Sequence, residues 1–401
     1  MNPTLDAFDL RALPASFYDD PYPYYAALRA ATPVRRMPDG SVLLTRYRDI
    51  EFVYKNPKLF SSDKRREFGA KYGPSPLLTH HTTSLVFNDP PLHSRVRRLI
   101  AAPLTPKAIA AIEPALARWV DGLLDRLAAN GGGDLIEDYA AAIPIEVIGN
   151  LLAVPADERG PLREWSLSIL GALEPQLTPA QAARGNAAVS EFSAYLVGLV
   201  ARRRAQQLDP DTDLLTKLIR GESDGERLSE EELIHNCIFL LNAGHETTTN
   251  LIGNGLVALM EHPQERDRLI ADPTLIKTAI EEFLRFESSN QLGNRITTQA
   301  LEIGGTPLAE LTPVTLCIGA ANRDPQVFAQ PDRLDVGRSP NRHLAFASGI
   351  HQCAGMGVAR LEGAVAIGRF LARFPDYAAA GPAVRGGRAR FRGFLRVPVR
   401  L

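Results

Sequence analysis

The sequence predicts a mainly α-helical protein with a small β-rich part, and three observations predict it. Long stretches carry apolar residues at helical spacing, among them Pro106–Leu127, Pro179–Gln207 and a run of about thirty residues after Ser229. Strand-like runs are few and short, at Val34–Met37, Val42–Arg46, Arg295–Thr298 and Val314–Ile318. No internal repeat or low-complexity tract interrupts the 401 residues. The chain is therefore read as one domain, residues 1–401, with its β-rich part near 33–46, 295–319 and 377–401.

Composition excludes several classes of function. With 45% hydrophobic and 23% charged residues, the chain is an ordinary globular protein able to bury a large core. A formal net charge of −1 gives no global attraction to nucleic acid or to an anionic membrane. No apolar run of 18 residues occurs, and Met1-Asn2-Pro3-Thr4-Leu5-Asp6 is polar and acidic. Neither a membrane anchor nor a signal peptide is expected. Cys237, Cys317 and Cys353 are odd in number and far apart, so no disulfide framework or CxxC metal site is expected. The compartment expected is the reducing cytoplasm.

In order, Asp20-Pro21-Tyr22-Pro23 opens a short helix through Ala31, since proline is tolerated in a first turn. Pro38-Asp39-Gly40 is a turn signal that makes Val34–Met37 and Val42–Arg46 a hairpin. From Ser61 to Val86 the chain is rich in Gly, Pro, Ser and Thr and reads as a long irregular loop, a wall or lid of a ligand pocket. Asp89-Pro90-Pro91 starts a helix with His93, Arg95, Arg97 and Arg98. His93 and Arg97 are four apart and share one face, either a solvated basic surface or an anion site. Helical patterns continue through Gly133–Leu152 and Pro161–Leu173, with Gly131-Gly132-Gly133 as a turn and residues 173–179 as a hinge.

Ser229-Glu230-Glu231-Glu232 is a capping box. The helix it opens runs to Met260 and is ended by His262-Pro263. At nearly three times the usual length of about 11–12 residues, it should cross the whole molecule. Ala243-Gly244-His245-Glu246-Thr247-Thr248-Thr249 lies in its middle. Glycine costs about 1 kcal/mol in a helix interior, and threonine hydroxyls bond back to the i−4 carbonyl and bend the helix. This is a weakened, polar spot where burial is expected. Two further helices, His262–Ala271 and Thr274–Phe286, follow; in the second, Glu282 and Arg285 are spaced for an ion pair. Gly304-Gly305 is a turn, Asn322 to Pro340 a meandering loop, and Phe391–Val399 a terminal hairpin with its tip near Phe394 and Leu395.

Cys353 stands immediately before a helical pattern, Met356–Phe374. A thiolate there gains from unpaired backbone N–H groups and the helix dipole. Gly349 and Gly355 let the backbone close around the sulfur and its ligand. The stretch Phe346-Ala347-Ser348-Gly349-Ile350-His351-Gln352-Cys353-Ala354-Gly355 has the pattern Phe-x-x-Gly-x-His-x-Cys-x-Gly. It resembles the haem-ligand loop of the cytochrome P450 family, the haem-thiolate monooxygenases, in their soluble bacterial form. His-x-x-x-Arg after Asp-Pro-Pro, Ala-Gly-x-Glu-Thr and Glu-x-x-Arg occur in the family's order, so the resemblance spans nearly the whole chain.

The resemblance implies a triangular, prism-like fold around haem b, with Cys353 as axial ligand. It places His93, Arg97, Arg295 and His351 at the propionates, with His343 as a further donor, and lines the haem with Phe346, Gly349, Gly355 and Ala243. A charge argument agrees independently: haem with a thiolate ligand is close to a dianion, and burying it requires fixed cations, here Arg97 and Arg295. Glu246 and Thr247 would be catalytic, feeding protons to dioxygen, while Glu282 and Arg285 brace the loop to the cysteine. His245 is read as structural. The expected reaction is insertion of one oxygen atom into a mostly hydrophobic small molecule, by hydroxylation or O-dealkylation. Its pocket would use Leu240, Ala243, Leu292, Gly293, Phe394 and Leu395. Electrons should come from a ferredoxin and its NAD(P)H-dependent reductase, because the chain has no flavin, NAD or Fe–S fingerprint; Arg95 and Arg98 would be the docking patch. A peroxygenase, a haem-thiolate isomerase and a non-catalytic haem-binding protein are the alternatives, and the intact Glu246-Thr247 pair weighs against them. Three positions depart from the family pattern: Ser289 for a frequent proline, Ala347 for a glycine or small polar residue, and Ala354 for leucine.

Overall fold

The computed structural model describes residues 8–101, 104–206, 214–223 and 226–401. The polar start of the chain and the end of the helical pattern at Gln207 lie outside them. The long helix runs Glu230–Glu261. Ser229 Oγ accepts from the Glu232 N–H at 3.1 Å, and the Glu232 carboxylate accepts from the Ser229 N–H at 2.8 Å, as the capping box requires. Two separate apolar cores hold this helix. Leu233 to Leu241 pack with helices Leu162–Gly171 and Pro179–Ala205. Leu251 to Leu259 pack with Pro106–Asn130, Ile276–Phe286 and the cysteine helix, Met356–Arg373. A helix buried on both flanks is expected to be apolar nearly all round; this one is apolar where the two cores grip it but also buries polar residues, among them Asn242, His245, Glu246 and Asn250.

The main sheet has five strands in the order Val34–Arg36, Val42–Leu44, Pro313–Cys317, Leu292–Thr297 and Phe60–Ser61. Val42–Leu44 and Pro313–Cys317 are parallel and the other pairs antiparallel. This sheet carries a third core, in which Val42, Leu44 and Val314 pack on Ile50, Val53 and Tyr54.

Several expectations need correction. Residues 61–86 are not irregular: they form helices Arg65–Tyr72 and Pro76–Thr83, separated by Gly73 at φ +59°. Buried Phe68, Leu77, His80 and His81 supply tertiary packing that outweighs the segment's weak helical propensity. Helix Tyr47–Lys55 was not anticipated at all, although Tyr47, Ile50, Val53 and Tyr54 carry its period. Gly132–Asp134 is a strand, residues 135–140 make a wide π-helical turn, and the helix expected from Gly133 starts only at Ala142. The C-terminal hairpin does not form as expected. Phe394–Arg396 pairs with Val384–Arg385, and Pro398–Arg400 lies between Ala378–Ala379 and Gly132–Asp134. Among the described residues no single helix is long and apolar enough to cross a membrane.

Candidate active site

The cysteine loop is closed by one backbone bond, Cys353 N–H to the Phe346 carbonyl at 2.9 Å, around a turn at Gly349–His351. Cys353 is exposed by surface area, yet enough protein surrounds its sulfur that burial pushes its pKa up. The N–H groups of Gly355 and Met356 and the charges of Arg97 and Arg360 act in the opposite direction. Gly349 is at φ +71°, and a Cβ there would stand 2.2 Å from the Tyr54 carbonyl oxygen, so only glycine fits. Gly355 has open space where a Cβ would be, so no protein atom demands a glycine there. Ala347 takes φ +56°, the left-handed conformation that costs an L residue about 1–2 kcal/mol.

Three segments bring a cluster of cations and imidazoles to the loop. His93 and Arg97 come from helix Leu92–Ala101, Arg295 from strand Leu292–Thr297, and His351 from the loop itself. The rings of His93 and His351 are 4.0 Å apart. His351 Nε2 lies 3.0 Å from Ser62 Oγ, while both ring nitrogens of His93 are buried without a protein partner. Burial, with Arg295 and Arg97 nearby, pushes the His351 imidazolium down to about 2; burial and Arg97 push His93 down to about 4. Arg295 donates to the Asn294 carbonyl at 2.7 Å and sits over the Tyr54 ring at 5.3 Å. Among the described residues neither Arg97 nor Arg295 is in ion-pair contact with a carboxylate, and burial lowers the pKa of both. A thiol, two unmatched arginines and an imidazole with both nitrogens open are the donor set that a buried dianionic, thiolate-ligated cofactor needs. His343 is not part of it. Its Nε2 lies 3.2 Å from Glu281 and its Nδ1 accepts from the Ala345 N–H, so it braces the loop.

From Asn242 to Leu259 the long helix is buried except at Ala243, Gly244 and Thr247. With half-buried Leu240 these make one open stripe at helical spacing, a dent. Thr247 Oγ1 donates to the Ala243 carbonyl at 2.8 Å. Ser289 Oγ donates to the Thr247 carbonyl at 2.8 Å, so the residue replacing the family's proline supports the dent. Glu246 does not face the dent. Its carboxylate accepts from Arg388 Nη1 at 2.6 Å, and its second oxygen is buried without a partner. Burial raises its pKa to about 7 against the pull of Arg388.

Glu246, His245 and Arg388 line a recess of about 20 Å³, room for about one water molecule. His245, read from the sequence as structural, shares this recess, buried with neither ring nitrogen hydrogen-bonded among the described residues. Phe394 and Leu395 border the same recess and not the dent, and Leu395 is 45% exposed. Leu292 and Gly293 lie on the sheet, Gly293 so close to Tyr54 that a Cβ would be 2.8 Å from its hydroxyl. Arg95 donates to the Arg227 carbonyl and is ion-paired with Glu232, so it belongs to the base of the long helix instead of an open docking patch.

Glu282 and Arg285 are 0% exposed and joined by two bonds of 2.8 Å. Arg338 donates to both Glu282 oxygens, Asn341 to one, and Arg285 reaches the Asn322, Pro331 and Arg333 carbonyls. The pair pins the meandering loop that leads to the cysteine.

The family model for cytochrome P450 matches residues 173–375. A vitamin D(3) 25-hydroxylase from Pseudonocardia autotrophica is 40% identical over 399 residues, covering 96% of this chain and 94% of that protein. The chain belongs to the cytochrome P450 family. An epothilone C/D epoxidase from Sorangium cellulosum is 34% identical over 380 residues, 93% of this chain and 90% of that one. The crystal structure of P450BioI in complex with hexadec-9Z-enoic acid ligated acyl carrier protein superposes with a TM-score of 0.91 at 32% identity, over 96% of this chain and 99% of that one. This P450 is a monooxygenase of the haem-thiolate type, acting on small organic molecules with dioxygen and redox partners.

Three of the P450's site residues were missed in the sequence. Tyr54 gauges both Gly349 and Arg295, and the period of its helix was the available signal. Arg388 is 142 residues from Glu246, beyond any local pattern. Glu362, on the cysteine helix, is buried with the Thr248 hydroxyl as partner, and burial raises its carboxyl to about 8. A lone acid in an apolar helical pattern was its signal.

Proposed function

We propose that this P450 holds haem b through the Cys353 sulfur, with Arg97, Arg295, His93 and His351 matching the two propionates. The observation that carries the reading is two half-buried arginines beside the cysteine loop with no carboxylate in ion-pair contact among the described residues, and a buried histidine with both ring nitrogens open. When bound, haem supplies dioxygen activation, which a thiolate ligand favours. The Gly355 and Met356 N–H groups hold negative charge on the sulfur. Thr247 presents its hydroxyl at the dent, bonded to the Ala243 carbonyl, where it could donate a hydrogen bond to dioxygen if haem were bound. Glu246, poised near neutral pH, supplies the proton from its recess once its contact with Arg388 loosens. Leu240 and Ala243 present apolar surface beside the dent to a mostly hydrophobic substrate, which is hydroxylated or O-dealkylated.

The electrons come from a ferredoxin and its NAD(P)H-dependent reductase, a reading supported by the absence of any flavin, NAD or Fe–S fingerprint in the sequence. The cysteine usage supports the cytoplasm, and the chain is read as one P450 domain. The visible spectrum of the reduced protein under carbon monoxide tests the assignment. A strongly red-shifted Soret band that Cys353→His abolishes is expected. A band typical of histidine ligation in the parent protein would overturn it.

A further inference from the structure

A cavity of about 270 Å³ lies between the main sheet, helix Arg65–Tyr72 and the hinge at Leu173. This is near the lower end for small-molecule sites, about 300 Å³. Its walls are apolar at Phe68, Phe87 and Leu292 and charged at Asp9, Arg11, Asp39, Lys64, Glu67, Lys71 and Arg390. Lys64 is matched by Glu67, and Arg11 by Asp9 and Asp39. Among the described residues the other two cations, Lys71 and Arg390, have no carboxylate in ion-pair contact, although Glu67 and Glu174 act on both from farther off. Lys71 Nζ donates to the Glu174 main-chain oxygen at 2.6 Å and lies 5.3 Å from the Tyr72 ring centre. Arg390 donates to the Leu173 carbonyl at 3.1 Å, the Leu292 carbonyl at 2.7 Å and the Asn294 amide oxygen. Every one of these partners is neutral. The Glu174 carboxylate is itself occupied by the N–H groups of Ala389 and Arg390.

Two like charges in one partly buried cavity repel. Burial first, and Arg390 second, lower the Lys71 ammonium to about 8. An anion seated between them relieves both costs, and a neutral ligand relieves neither. Along the chain the cavity's walls neighbour the cation cluster: Leu292 precedes Arg295 by three positions on one strand, and Lys64 follows by two the Ser62 that touches His351.

We propose that this cavity is the head-group end of the substrate site, so that the P450 takes amphipathic organic acids, the carboxylate lying between Lys71 and Arg390 and the apolar chain running past Phe68 and Leu292 toward Thr247. The inference rests on the monooxygenase reading and narrows its substrate from mostly hydrophobic to hydrophobic with a terminal carboxylate.

Titrating the haem-loaded protein with dodecanoic acid, 1-dodecanol and dodecyltrimethylammonium at pH 7 tests it, with the ferric Soret shift and the heat of binding as readouts. The acid should bind at least about tenfold more tightly than the alcohol, with the ammonium weakest. Lys71→Met should remove about tenfold from the acid and nothing from the alcohol, and Lys71→Arg should restore the difference. The preference should fade above about pH 8 as the Lys71 ammonium loses its proton. Equal binding of acid and alcohol, no binding by either, or Lys71→Met weakening both alike overturns the proposal. So does a loss of haem in Lys71→Met, which would assign the charge to a propionate. A missing haem-thiolate spectrum fails the underlying reading instead, and the calorimetric comparison still decides this one.

Discussion

Two arginine clusters flank the cysteine loop, and they are built on opposite principles. Around Glu282 and Arg285 every charge is closed within the chain: two ionic bonds, three carbonyls, and Arg338 and Asn341 on the acid. Around Arg97, Arg295 and His93 no carboxylate among the described residues closes the set, and neither ring nitrogen of His93 has a hydrogen-bond partner. Glu282 and Arg285 are fully buried while Arg97 and Arg295 are half-buried, and an unmatched charge removed from water costs several kcal/mol. The first cluster holds the fold and is complete without a ligand. The second lacks an anion among the described residues, and in the proposed function a bound anionic group would supply it.

The largest effect that would break this contrast is at Arg285. Arg285→Ala leaves Glu282 buried with half of its ionic partners and should cost about 3–5 kcal/mol, a large share of the stability of an ordinary domain. Little soluble, haem-loaded protein is expected, and a denaturation midpoint close to the parent's would dissolve the distinction. Arg295→Leu should show the reverse pattern. Removing an unmatched charge leaves the haem-free chain as stable as before or more so, while haem retention falls; thermal melting of haem-free protein and haem occupancy, measured together, separate the two effects. A parallel loss in both would place Arg295 with the structural cluster.

Glu246 is an intermediate case, matched at one oxygen and open at the other. Folded, it keeps its proton up to about pH 7, whereas its ordinary pKa is 4.5. Between those values the folded state binds more protons than the unfolded one, so this group makes stability fall as pH rises from about 4.5 to 7. Glu246→Gln should flatten that slope in denaturant titrations across the range, and an unchanged slope would remove the buried acid from the account. The smallest effect lies in the loop between the clusters. Ala347→Gly relieves a left-handed alanine but frees the unfolded chain, for a net gain under about 1 kcal/mol in thermal melting. A loss there would show that the loop is held in that shape by something other than its own backbone.

The chemistry was more legible in the sequence than the scaffold. Cys353, Thr247 and the Glu282–Arg285 pair lie in short motifs whose spacing survives without knowledge of the fold, and the capping box at Ser229 marked the long helix to within a residue. Residues 61–86 were opaque because their helices depend on what Phe68 and His81 pack against, not on propensity. Arg388 and the Lys71–Arg390 cavity were invisible for a related reason: each joins residues far apart in the chain, and no periodicity records such a meeting. The expectation for Phe394 and Leu395 failed on topology, because strand partners for the C-terminal segment come from 132–134 and 378–385 instead of from itself.

The two cores that grip the long helix have a mechanical consequence. Leu233 to Leu241 are packed with helices Leu162–Gly171 and Pro179–Ala205, and Leu251 to Leu259 with the cysteine helix. Between these grips lie the glycine at 244 and the Thr247 carbonyl, which accepts from Ser289. A tilt of one core against the other would be taken up as bending at this joint. The dent lies there, so a shift of either core would register as a change in the angle of one helix.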